Sequence, residues 1–234
     1  MKKEQSDIIN MFDSIASSYD ITNRILSLGV DVRWRNEACK LSLGLLDSNK
    51  ISILDMACGT GDMILSWLQY CNPDSIIGID PSINMLEIAK NKLPKNIKLI
   101  QGEAAKIELE NESIDLVSIA YGLRNIVELD LALNEFKRVL KKNGILLILE
   151  FTKKDRNSFL DSLALFYTSK ILPLIGGLIS SNYKAYKYLP NSVEGFLTLE
   201  SLESKLIDIG FLVEIKKRYI ANLCSLIIVR KNKI

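Results

Sequence analysis

Asp55, Gly59, Thr60, Gly61 and Asp80 are the first residues that suggest a chemistry. Four of them lie in Leu54-Asp55-Met56-Ala57-Cys58-Gly59-Thr60-Gly61-Asp62, and Asp80 ends the next apolar run. Two glycines let a backbone turn approach a ligand closely. A strand that feeds such a turn and then a helix makes a ligand site at the carboxyl edge of a sheet. The Asp80 carboxylate stands where both hydroxyls of a ribose can be accepted. Glu103, in Gln101-Gly102-Glu103-Ala104, is placed to meet an adenine amino group, or is an ordinary loop acid. A tight turn that binds nothing is the alternative reading of the glycines.

The dinucleotide fingerprint G-x-G-x-x-G/A fails here. Ile64 falls where helix–strand packing demands a small residue. S-adenosylmethionine has no pyrophosphate to cradle, so Gly59 and Gly61 suffice for it. Composition bounds what happens at such a site. The 234 residues include no histidine. That removes the usual general base at neutral pH, the Ser-His-Asp and Cys-His nucleophiles, and His-ligated metals. No metal centre is expected. Lys plus Arg total 30 and Asp plus Glu 28, a net charge of +2, so no nucleic-acid partner is expected either. Cys39, Cys58, Cys71 and Cys224 form no CxxC pair. Reduced thiols in the cytoplasm are the expectation. Met1 to Asp7 hold no apolar run of signal-peptide type.

The elements that position these residues follow from periodicity. Ile8, Ile9, Met11, Phe12 and Ile15 recur at helical spacing, as do Trp34, Ala38, Leu41 and Leu45. Strands are expected at Ile51–Met56, Ser75–Ile79, Ile97–Gln101, Ile114–Ala120 and Ile145–Phe151. Helices are expected at Asp62–Tyr70, from the Ser82 cap to about Asn91, and at Leu129–Lys141, where Lys142-Asn143-Gly144 stops the last one. A further helix at Leu199–Ile209 precedes strands at Phe211–Lys216 and Leu223–Val229, read as a terminal hairpin. Alternation of this kind predicts an α/β, Rossmann-like fold. Its sheet has seven strands, mostly parallel, with one antiparallel. The chain reads as one domain: a helical cap over 1–50, a core over 51–151, a helical insert over 152–190, and a closing helix and hairpin over 191–234. Within the insert, Phe159 to Ile179 is nearly long enough to span a bilayer, but Asp161, Lys170, Pro173 and Gly176-Gly177 argue against it. The stretch reads as a lid helix, an apolar mouth for a lipid tail, or a membrane-touching surface.

The glycine turn resembles motif I of the class I S-adenosylmethionine-dependent methyltransferases. Further segments resemble the quinone C-methyltransferases of menaquinone and ubiquinone biosynthesis. These are Phe12-Asp13-Ser14-Ile15-Ala16-Ser17-Ser18-Tyr19-Asp20 with Asn23, Ser27 and Trp34; Tyr121-Gly122-Leu123-Arg124-Asn125; Arg138 to Gly144 with Leu149-Glu150-Phe151-Thr152; and Leu172-Pro173, Gly176 and Ala185 to Pro190. The likeness runs from about Phe12 to Phe211. The family usually has His where this chain has Asp31, and often Ser at Ala120 beside the cofactor. It also carries a Gly-rich stretch and a His where this chain reads Tyr219 to Ser225.

The resemblance implies methyl transfer from S-adenosylmethionine to a ring carbon of a demethylated prenyl quinol. Asp55, Gly59, Thr60, Gly61, Asp80, Glu103, Ala104 and Ala120 would form the cofactor seat. Arg124 would stabilise the developing oxyanion, or be a plain salt-bridge cation. Asn125 would orient the quinol oxygen or a water. Tyr19 and Tyr121 would touch the ring or relay protons, or be core aromatics. Asp20 would hold a water that serves as base, or cap a helix. Another small aromatic substrate, or a non-catalytic pathway subunit, is the alternative. Peripheral membrane contact and a homodimer complete the expectation.

Overall fold

The apolar runs become strands of a single sheet. The computed structural model describes residues 4–48, 50–153, 183–219 and 224–232. The elements in chain order are α1 (Gln5–Ser27), α2 (Val30–Leu43), β1 (Ser52–Met56), α3 (Asp62–Tyr70), β2 (Ser75–Asp80), α4 (Ile83–Lys92) and β3 (Lys98–Gln101). Then follow β4 (Ile114–Ala120), a 3-10 turn (Leu123–Asn125), α5 (Leu129–Val139), β5 (Leu140–Phe151), α6 (Tyr183–Glu194), α7 (Leu199–Asp208), β6 (Phe211–Tyr219) and β7 (Cys224–Lys231). The apolar stretch 159–179 and the link between β6 and β7 lie outside the described residues.

The strand order is β3-β2-β1-β4-β5-β7-β6. β7 runs antiparallel to both of its neighbours, and the other pairings are parallel. From β1 the chain winds outward to β2 and β3, then returns to β4. The β1–β4 boundary is therefore the switch point where an open α/β sheet binds its ligand. Strands buried on both faces read as continuous apolar runs. One face packs on α2, α3 and α4 through Ala38, Ile64, Trp67 and Ala89. The other packs on α5 and α7 through Leu133, Phe136, Leu202 and Leu206. α5 places Ala132, Leu133, Phe136 and Val139 on one stripe, the spacing that buries a single helix face.

Most elements shift a boundary by one to three residues from the sequence reading, and the junction of α5 and β5 shifts most. α5 ends at Val139 rather than Lys141, and β5 begins at Leu140. Leu140 pairs with Ile114, and Ile145 pairs with Leu116. Lys141 to Gly144 therefore bulge out between two paired stretches. Asn143 takes a positive φ of 65° there, which Asn tolerates better than most residues. The Lys-Asn-Gly signal marks this bulge inside a strand, not a helix stop. Among the described residues, no helix is long and apolar enough to cross a membrane.

Candidate active site

The turn after β1 opens the site. Gly59 and Gly61 have positive φ, 53° and 87°. A Cβ on Gly59 would meet nothing within 4 Å, so open space lies above it. Asp80, at the end of β2, accepts the Gly59 N–H at Oδ2 (2.8 Å) and the Ser82 N–H at Oδ1 (2.9 Å). Burial pushes the Asp80 carboxyl up to about 6; the two N–H bonds pull it back, and Asp13 adds to the rise. Ser82 caps α4 by accepting the Met85 N–H at 3.1 Å, as its sequence position suggested.

A cleft of about 250 Å³ extends from this turn. Gly59, Asp80, Glu103, Ala104 and Ala120 line one side; Ile8, Phe12, Tyr19 and Asn125 line the other. α1 supplies that second wall because it lies across the carboxyl edge of the sheet. Gln5 and Asp13 help to fasten it there. Gln5 accepts the Val127 N–H at 3.0 Å and donates to the Asn125 carbonyl at 3.3 Å. Asp13 accepts from the Ser82 hydroxyl and from the Asn84 N–H. Tyr19 packs edge-on against Phe12, with centroids 6.2 Å apart.

Thr60, Gly61 and Asp55 stand behind the cleft rather than on its wall. The Thr60 hydroxyl donates to Asp20 at 2.5 Å. The Lys92 ammonium bonds Asp20 at 2.7 Å and Asp62 at 2.6 Å. Asp62 also pairs with Arg24 and Arg35, which both pair with Asp31. Burial pushes the Asp62 carboxyl up, yet Arg35, Lys92 and Arg24 together take it below the usual carboxylate range. Three acids paired by turns with three cations thus join α1 through α4 behind the glycine turn. Asp55 is 1% exposed. Its Oδ1 accepts the Ser118 hydroxyl at 2.6 Å, and the same hydroxyl accepts the Trp67 indole N–H at 3.0 Å. Its Oδ2 has no hydrogen-bond partner among the described residues. Burial raises Asp55 to about 7, against the Ser118 bond and Arg35.

The second turn carries Tyr121 to Asn125. Tyr121 takes a positive φ of 61°. Its N–H donates to the Leu149 carbonyl at 2.7 Å, and its ring stacks on Phe151 at 5.1 Å. The Arg35 guanidinium lies 5.7 Å from the ring centroid. Burial holds the Tyr121 hydroxyl well above its ordinary pKa, so it gives up its proton poorly at neutral pH. Arg124 pairs with Glu150 at 2.6 Å, their side chains 7% and 1% exposed. Arg124 also donates to the Tyr121 carbonyl at 2.6 Å and to Ser192 at 3.2 Å. Asn125 does line the cleft. Its Oδ1 accepts the Tyr188 hydroxyl at 3.0 Å.

The structure therefore brings Gly59, Asp80, Glu103, Ala104, Ala120, Tyr19, Tyr121 and Asn125 to one cleft. Asp20 faces Lys92 and Thr60, and Arg124 faces Glu150. The sequence reading assigned no role to Lys92, Arg35, Gln5, Tyr188 or Ser192, because the contacts that tie each to the site come from distant parts of the chain. Glu150 did leave a signal: it is an acid in the otherwise apolar run Ile145 to Phe151.

The donor set fits S-adenosylmethionine. Carboxylates stand at or just past the ends of adjacent strands, open space lies over Gly59, and Pro81 and Met85 add apolar wall. Sheet order, antiparallel β7, the glycine turn and Asp80 together define a class I S-adenosylmethionine-dependent methyltransferase. A solved S-adenosylmethionine-dependent methyltransferase from Thermotoga maritima shares this fold, with TM-score 0.62 and 18% identity, over 96% of this chain and 100% of that one. The ubiE/COQ5 methyltransferase family model matches residues 1–228, and the chain belongs to that family. The ubiquinone/menaquinone biosynthesis C-methyltransferase UbiE of Campylobacter jejuni strain 81-176 is 46% identical over 98% of this chain and 99% of its own. The demethylmenaquinone methyltransferase of Thermotoga maritima is 36% identical over 89% of this chain and 90% of its own.

Proposed function

We propose that this enzyme methylates a ring carbon of a demethylated prenyl quinol, converting demethylmenaquinol to menaquinol, with the ubiquinone-pathway benzoquinol as a second substrate. The near full-length likeness to a relative named for that C-methylation carries the reading. The cleft supports it, because a nucleoside-binding edge meets an apolar and aromatic wall in one space.

Asp80 would accept the ribose hydroxyls, and Glu103 with Ala104 and Ala120 would border the adenine. S-adenosylmethionine, when bound, supplies a methyl group already activated as a sulfonium. The protein's own task is to align the ring carbon and make it nucleophilic. A phenolic hydroxyl has a pKa of about 10, so its proton must be accepted as the new bond forms; the methylated carbon then sheds its own proton to restore the aromatic ring, and the oxygen regains one. Tyr19 bounds the ring, and the Asn125 carboxamide orients its oxygen. Arg124 is neutralised by Glu150, so its part is to shape the turn that carries Asn125. Glu128 is the cleft carboxylate that the cofactor seat does not need, and its side chain makes no helix-cap bond. It accepts the proton in this reading, directly or through one water. A prenylated substrate partitions into lipid, so the enzyme works in the cytoplasm and meets the membrane peripherally.

The test is the product. Demethylated naphthoquinol and methyl-labelled donor should yield one labelled methyl on a ring carbon, read by mass spectrometry. An O-methylated product, or none from a protein that binds S-adenosylhomocysteine, overturns the reading.

A further inference from the structure

Glu150 is a buried acid to which the reaction above gives no contact with substrate or cofactor. It stands near the carboxyl end of β5, 1% exposed. Its sheet-face neighbours Leu146 and Ile148 are apolar core residues. Packing alone would favour another aliphatic here, because a buried carboxylate must be fully compensated. The compensation converges on one residue. Oε1 accepts the Arg124 guanidinium at 2.6 Å, and Oε2 accepts the Arg124 main-chain N–H at 3.1 Å. The Phe151 N–H gives Oε1 a further bond at 2.7 Å. One carboxylate thus holds Arg124 by both its side chain and its backbone.

Arg124 is the middle residue of the 3-10 turn that ends in Asn125. Arg124 and the Asn125 amide both donate to the Tyr121 carbonyl, at 2.6 and 3.3 Å. The Asn125 amide oxygen is then set by Tyr188. The orientation of a group on the cleft wall therefore traces back to an acid outside the cleft.

We infer that Glu150 is a positioning residue for methyl transfer: it fixes the Arg124 main chain and guanidinium, and so aims the Asn125 carboxamide at the substrate oxygen. The inference rests on the quinol reading above. A core role without positioning would lower stability, cofactor affinity and turnover together. Positioning lowers turnover and leaves the Asp80 and Glu103 side of the cofactor seat intact, because those acids stand at and just past the ends of β2 and β3, across the sheet from β5.

The experiment compares the full chain with Glu150→Gln and Glu150→Asp. It measures turnover of demethylated naphthoquinol, S-adenosylhomocysteine affinity by calorimetry, and melting. In either orientation a Gln amide turns an N–H toward a donor, the guanidinium or the Arg124 main-chain N–H. The kcat of Glu150→Gln is expected to fall at least tenfold while the Kd for S-adenosylhomocysteine stays within twofold. Asp keeps the charge and should retain more activity than Gln. If Glu150→Gln does not fold, Arg124→Lys should show the same split, because an ammonium cannot bond Glu150 and the Tyr121 carbonyl in the guanidinium geometry. Wild-type kcat and KM in both variants overturn the inference. So does a parallel loss of S-adenosylhomocysteine affinity and kcat. A wild-type protein that binds S-adenosylhomocysteine yet leaves the quinol unmethylated overturns the substrate reading, and this inference with it.

Discussion

The Thr60 hydroxyl donates to Asp20 at 2.5 Å, and this bond joins the first helix to the glycine turn. Lys92 lies beside both, with its ammonium 3.2 Å from the same hydroxyl. The helix that walls the cleft and the turn that floors it are thereby one braced unit. Its parts come from α1, α4 and the turn before α3. A movement of α1 large enough to admit a ligand must work against this brace or hinge beyond it.

Asp20→Asn separates bracing from base catalysis. The Asp20–Lys92 pair is part-exposed, with side chains 33% and 24% accessible. Such a pair contributes at most about 1 kcal/mol. Asn keeps the acceptor for Thr60. Turnover should fall less than about tenfold, whereas removing a general base costs about 10²- to 10⁴-fold. Initial rates across pH decide the matter. A hundredfold loss that also removes the rising limb of the profile would return the proton to Asp20.

Arg124 and Glu150 should behave as a pair in stability. Removing either partner of a buried pair leaves an uncompensated charge and costs about 3–5 kcal/mol, whereas replacing both with apolar residues is often neutral. Arg124→Met should melt early, and Arg124→Met with Glu150→Met should recover most of that loss. Both should lack turnover. Urea midpoints for the three proteins, wild type included, provide the measurement. A double variant no more stable than the single would show that the pair is not coupled.

Much of this fold was readable because it is local. The α3 boundaries, Asp62 to Tyr70, match the structure residue for residue. The glycine turn and Ser82 both announce a helix start by short-range chemistry. Legibility ended where partners are distant. Lys92 meets Asp20 from 72 residues away, and nothing in its own neighbourhood marks it out. Arg124 is similar: its residue type suggested an oxyanion partner, but Glu150, 26 residues on, claims the guanidinium. The Asn143-Gly144 signal was real and was assigned to the wrong element, because a bulge and a helix end call for the same backbone freedom.

Gly59→Ala and Gly122→Ala should fail in opposite ways. A Cβ on Gly122 would stand 2.5 Å from the Ala57 Cβ, so the two turns could not keep their spacing. Overpacking of that kind costs typically about 1–3 kcal/mol. A Cβ on Gly59 meets open space and pays only for its positive φ, about 1–2 kcal/mol. That open space is where the proposed cofactor seat would lie. Gly59→Ala should therefore lose S-adenosylhomocysteine affinity out of proportion to its loss of stability, and Gly122→Ala should lose chiefly stability. Calorimetry and melting on the same preparations give both numbers. Equal affinities for Gly59→Ala and wild type would move the ligand away from the turn.

Asp55 makes a pH-dependent contribution of unusual sign. Burial raises it to about 7 in the folded chain, against about 3.9 unfolded. Between those values the folded state binds more protons than the unfolded state. Stability from this group therefore declines as pH rises through that window. Asn does not titrate. The stability of Asp55→Asn relative to wild type should improve from pH 5 to pH 8, on the order of 3 kcal/mol. Denaturation at the two pH values measures it. A difference that stays flat would mean that Asp55 is ionised at both.

Asp80 ties pH to cofactor affinity. Burial sets its carboxyl near 6 in the free protein. In the proposed seat a ribose diol would donate to the ionised carboxylate, so bound ligand would lower that value. Affinity for S-adenosylhomocysteine should be full above about pH 7. Below 6 it should weaken up to tenfold per unit, until the bound carboxyl also protonates. Asp80→Asn offers a neutral acceptor at every pH; its affinity should be lower and nearly flat from pH 5 to 8. Glu103 lines the same cleft, and Glu103→Gln leaves Asp80 in place, so it should keep the wild-type slope at reduced affinity. Calorimetric titrations at several pH values distinguish the carboxylates. A slope that survives in Asp80→Asn would assign the titration to another group and remove Asp80 from the ribose.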